Sequence, residues 1–228
     1  GGFYLALAAV LSYELLRRPR PEVSQEKRLG HQALPVLLSL TAFCLFVLSF
    51  CSFLDHNYLF GQWGEYTLQW MTPLLLSGYV YRRTSLPVLL LLTKIAIAVT
   101  FVCHGLYAVG YYPVPGAFQG MLMKIFPLTA NQTLMILKIA GVLDFAIAVL
   151  IFLPARKIVI GALFYATAWG FLTALARPVA NFYSQFWLES LLQWIPEFLY
   201  RVPHFLIPAW LLYYYLYSTR KHAENAGG

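Results

Sequence analysis

The sequence predicts an all-α, polytopic transmembrane bundle of six to seven spans, on three observations. Long apolar segments recur along the chain, and clusters of Lys and Arg fall in alternate gaps between them. Hydrophobic residues fill 60% of the 228 positions and charged ones 11%, whereas a soluble domain carries roughly a quarter charged. Crossing a hydrocarbon core of about 30 Å takes roughly 20 mostly apolar residues in a helix. Backbone polar groups in lipid must be satisfied within the segment or in a closed barrel. The runs lack the period-two alternation of barrel strands, so helices are expected.

Taken in order, the apolar runs place helices at 3–16, 34–54, 66–81, 86–111, 133–153, 158–176 and 205–217. The first is short for a span, and nothing before it resembles the basic start of a secretory signal, so it is expected as a retained, tilted or interfacial helix. Between helices, Arg17, Arg18, Arg20, Lys27 and Arg28 fill the first gap, Arg82 and Arg83 the third, and Arg156 and Lys157 the fifth. Arg220 and Lys221 follow the last helix. By the positive-inside rule these four groups are cytoplasmic, with the amino terminus outside and the carboxyl terminus inside a multi-pass protein of the inner, cytoplasmic membrane. The division that follows is 1–85 as amino-terminal helices, 86–217 as a membrane domain and 218–228 as a cytoplasmic tail.

The opposite loops carry Asp55, His56 and Glu65, then Lys124, then the stretch 181–203 with Glu189, Glu197 and Arg201. Aromatic residues crowd that stretch, which predicts an amphipathic helix at the exterior interface, serving as an anchor or as a docking surface for other subunits. Pro113 and Pro115 force a turn, and 118–126 reads as a re-entrant or surface helix. The net charge of +7 is spread through short loops and forms no stripe suited to nucleic acid. Membrane lipids and other membrane chains are the expected partners.

Ionisable side chains inside spans are costly unless paired or hydrated, so they mark candidate sites. Lys94 and His104 lie on one helix, Lys138 and Asp144 on the next. Helix rise puts Lys94 and Asp144 roughly 12 to 15 Å from the cytoplasmic end, where they could pair, and His104 and Lys138 roughly 24 to 27 Å up. Two polar tiers are therefore expected, with Lys138 reaching toward headgroups. Gly105, after His104, allows close approach of a helix or a ligand. His56, His104 and His204 with Asp55 lack metal-site spacing, and no metal is expected. Cys44, Cys51 and Cys103 lie in apolar runs and read as inert thiols.

These residues carry a resemblance. From about 86 to 217 the chain resembles the DoxX/DoxD-like membrane family: Lys94 stands ten positions before the His104-Gly105 pair, and Ile139-Ala140-Gly141 leads to Asp144 and a short basic turn at 154–157. Lys94 stands where that family more often has Arg, and Asp144 where it more often has Glu. The resemblance implies a four-helix core preceded by about three helices. It also implies a polar site of Lys94, His104, Gly105 and Asp144, and a membrane subunit of a respiratory or other redox complex that binds a quinone or lipid between helices. Two other classes stand beside it: a non-catalytic assembly subunit whose buried charges set helix register, and a small-solute or proton-coupled transporter.

Overall fold

The computed structural model describes residues 25–226, with side-chain surroundings for 33–217. The helix expected at 3–16 lies outside the described residues. Two compact units divide the chain, Gly1–Leu37 and Leu38–Gly228; the residues of the candidate site belong to the second. Among the described residues every regular element is helical: α1 (Gln25–Asp55), α2 (Phe60–Gly64), α3 (Thr67–Val80), α4 (Leu86–Ala108), α5 (Gly116–Ile125), α6 (Ala130–Leu150), α7 (Arg156–Ala180), a 3-10 turn (Ser184–Phe186), α8 (Trp187–Tyr200) and α9 (Pro203–Ala226).

Among the described residues, four segments are long and apolar enough to cross a membrane: Ala33–Asp55, Leu86–Ala108, Ala130–Leu150 and Arg156–Ala180. At 14 residues, α3 reaches only about 21 Å, and α9 runs on through the basic pair Arg220 and Lys221. Apolar side chains also cover the outside of these helices. On α6, Ile139, Val142 and Val149 are exposed, as expected for a surface that meets lipid tails.

Local signals set the helix ends. Gly110, at φ +87°, takes the left-handed conformation open to glycine and ends α4 at Ala108, three residues before the expected end. Thr129 and Gln132 form a reciprocal capping box that starts α6 at Ala130, ahead of the expected Thr133. The re-entrant or surface helix expected at 118–126 is α5, which starts at Gly116 and buries no residue. The aromatic stretch forms α8, with Leu188, Leu192, Ile195 and Leu199 exposed along one side.

The core of the second unit draws on five helices. Leu68 of α3, Ile97 and Phe101 of α4, Ile147 of α6, Leu163 and Ala166 of α7, and Leu211 of α9 form one apolar cluster. Within it α4 packs on α6 and α9 packs on α7. The first of these crossings is backbone on backbone. A Cβ on Gly105 would lie 3.0 Å from the carbonyl oxygen of Gly141, and a Cβ on Gly141 would lie 3.0 Å from that of Gly105.

Candidate functional site

The Gly105 and Gly141 contact fixes the register of α4 against α6, and with it the depth of every polar group on either helix. Counting from that contact at 1.5 Å per residue, Asp144 lies only about 3 Å deeper than His104, while Lys94 lies about 12 Å deeper than Asp144. The expected pairing of Lys94 with Asp144 is therefore not formed. Lys94 Nζ instead lies 5.2 Å from the ring centroid of Tyr215 and 6.0 Å from that of Phe152, a cation over aromatic faces. Asp144 is buried, and its Oδ1 meets no hydrogen-bond partner. The two expected tiers are replaced by one polar level holding His104 and Asp144. Lys138 is exposed on α6.

Close approaches bring three further segments to His104. A Cβ on Gly64, at the end of α2, would collide with Cys103 Sγ, and one on Gly61 would lie 2.9 Å from the Tyr107 ring. These two glycines seat α2 against α4 and deliver Glu65, whose Oε2 lies 3.6 Å from His104 Nε2. On the other side, a Cβ on Gly170 of α7 would lie 2.5 Å from the carbonyl oxygen of His204. The start of α9 thus presses on α7, and the His204 ring stacks on His104 with centroids 5.2 Å apart. Gln69 Nε2 of α3 lies 3.4 Å from Nδ1 of His204.

Glu65 is buried, with Arg201, Arg177 and His56 acting on it electrostatically and Tyr66 hydrogen-bonded to it. Burial pushes its carboxyl above the ordinary 4.5, outweighing the two arginines, which pull it down. His56 itself is exposed, with Nδ1 2.8 Å from the Ser52 carbonyl oxygen. Of the three histidines considered together in the sequence, His104 and His204 meet and His56 stands apart. Among the described residues no group of three His, Cys, Asp or Glu side chains could hold a metal ion. Cys103 is buried, Cys44 and Cys51 are exposed, and all three are free.

A cavity of about 360 Å³ opens beside this cluster, within the range of ligand pockets, roughly 300 to 1,000 Å³. Its wall is mostly apolar, with Leu137 and Ala140 of α6, Trp169 and Leu172 of α7, and Met121, Leu122 and Ile125 of α5. His104, Asp144, Arg177 and Arg201 reach the same space. Arg177 stands near the end of α7, and Arg201 follows α8, where its carbonyl accepts from the His204 N–H at 2.9 Å. The Nε atoms of both arginines are buried without a partner. A bond from Lys124 Nζ to Asn181 Oδ1, 2.7 Å, ties the end of α5 to the end of α7 beside the cavity.

Comparison with protein-family models, with characterised proteins and with solved structures finds no match. The site is therefore read from its own chemistry. His104, Gly105 and Asp144 come together as neighbours of one crossing, whereas Lys94 stands apart. Glu65, Gln69, Arg177, Arg201 and His204 were not assigned to the site from sequence. One signal was present: Glu65, Arg201 and His204 all fall in gaps or helix ends on the same side of the bundle as His104.

Proposed function

We propose that this protein is an integral membrane subunit of a respiratory or other redox complex and holds a quinone or a lipid in the cavity beside α4, α6 and α7. The observation that carries the reading is the convergence of His104, Asp144, Arg177 and Arg201 on an otherwise apolar space. Such a space accepts a lipid-soluble body, and the few polar groups orient its head. The DoxX-like pattern around His104-Gly105 and Asp144 supports the same reading, with α4, α6, α7 and α9 as the four-helix core. Electrons would come from a chain docked on residues 181–203, where α8 exposes its apolar side.

In this reading α3, α9 and residues 3–16 join the four long apolar helices to give six to seven spans in the inner membrane. The amino terminus is outside and the carboxyl terminus cytoplasmic. Arg156 supports the alignment of the basic groups, because its Nη2 donates to the Tyr215 carbonyl oxygen and so sets the turn after α6 beside the later part of α9. Native mass spectrometry of the gently solubilised protein from its own membranes tests the proposal. The expected result is a stoichiometric quinone or lipid together with copurifying redox chains. A protein that emerges empty and alone would overturn it.

A further inference from the structure

We infer that the cavity takes a single-chain amphiphile with an anionic head, a carboxylate or a phosphate, held between Arg177 and Arg201. This rests on the cavity reading above and narrows its ligand class. Two guanidinium groups reach the cavity from different segments, Arg177 near the end of α7 and Arg201 after α8. Arg201 is 9% exposed, and the Nε of each arginine is buried without an acceptor. Exposed Glu197 and buried Glu65 act on Arg177 electrostatically, and Glu65 acts on Arg201 as well, yet neither carboxylate bonds either Nε.

Asp144 lines the same cavity but, among the described residues, forms no ion pair with either arginine. An empty or wholly apolar site would leave these two buried donors without an acceptor, which is costly in a low-dielectric site. A carboxylate or phosphate fits the planar guanidinium fork through charge-assisted bonds. Leu137, Leu172, Met121 and Ile125 line the same space, and no Lys or further Arg does, which suits an acyl chain. Because the tail is apolar, free inorganic phosphate does not satisfy the site.

Trp169 lines the cavity and provides the readout. Detergent-solubilised protein is titrated with a brominated fatty acid, a brominated monoacyl phosphate, the methyl ester of the fatty acid and a short-tailed quinone, following quenching that is lost in Trp169→Phe. At least one anionic amphiphile is expected to bind about tenfold or more tighter than the ester, and which anion binds tighter identifies the head. Arg177→Gln and Arg201→Gln are each expected to remove most of that preference while leaving ester binding in place. Equal binding of acid, ester and quinone, unchanged by either substitution, would overturn the anionic head and leave the cavity reading standing. Saturable quenching by none of the four would overturn both.

Discussion

His104 and His204 stack face to face, with ring centroids 5.2 Å apart and planes 9° from parallel, where α4 meets the start of α9. His204 is almost fully buried, and Gln69 from α3 approaches its Nδ1. The pair joins three helices through one aromatic contact and one polar contact, and substitutions at His204 separate the two. His204→Phe keeps a flat ring on His104 and removes the approach to Gln69. His204→Ala removes both. Aromatic pairs contribute about 0.5 to 1.5 kcal/mol beyond area burial, so the alanine variant is expected to be less stable than the phenylalanine variant by at least that much. Thermal unfolding in detergent measures the difference; equal stability would show that the stack contributes nothing.

The Gly105 and Gly141 crossing leaves no room for a side chain. A Cβ on Gly141 would also lie 2.8 Å from Val109 Cγ1 and 3.0 Å from Ala108 Cβ. Gly141→Ala forces the two helices apart or along each other, and overpacking of this kind costs about 1 to 3 kcal/mol. Because the crossing sets the depth of Asp144 relative to His104, the same variant is expected to weaken cavity binding in the Trp169 titration. Gly161 faces open space, and Gly161→Ala is the control: it should be neutral or slightly stabilising, as alanine favours the helix.

Lys94 and Asp144 provide a test of the register. A buried ion pair would couple strongly in a double-mutant cycle, with either single change costing more than the double. Here Lys94 lies over Tyr215 and Phe152 and Asp144 lines the cavity. Lys94→Leu and Asp144→Leu are therefore expected to add within about 0.5 kcal/mol, as separated sites do. Asp144→Leu alone is expected to be neutral or stabilising, because it removes a buried acceptor atom that has no partner. A strong coupling energy would restore the reading in which these charges only set helix register.

What the sequence made legible follows from how strongly each feature is written locally. Long apolar runs identify α1, α4, α6 and α7 because a span needs its composition in one continuous stretch. The proline pair at Pro113 and Pro115 announced α5, and the aromatic crowding announced α8. His104, Gly105 and Asp144 were visible because ionisable groups inside apolar runs are conspicuous. Lys94 was drawn to Asp144 by counting from helix ends, where each end is uncertain, whereas the true register is set by a glycine contact with no local sign of its partner. Glu65, Arg177, Arg201 and His204 sat near helix ends, where charge is ordinary. Only the close approaches at Gly64 and Gly170 turn those ends inward to His104.

Glu65 gives the site a pH dependence whose sign can be worked out. Burial raises its carboxyl above 4.5 despite Arg201 and Arg177, with His56, Tyr66 and His104 facing it as well. The folded state therefore holds the proton more tightly than the unfolded chain. Its contribution to stability is fully present below about 4.5 and is lost as pH rises through the folded value. Glu65→Gln cannot titrate. Measured by thermal unfolding in detergent, the wild type is expected to lose stability relative to Glu65→Gln as pH climbs from acid toward neutrality. At the acid end the gap between them should be smallest, since both side chains are then neutral. A wild type that gains on the variant over the same range would mean that the two arginines outweigh burial and hold the carboxyl ionised.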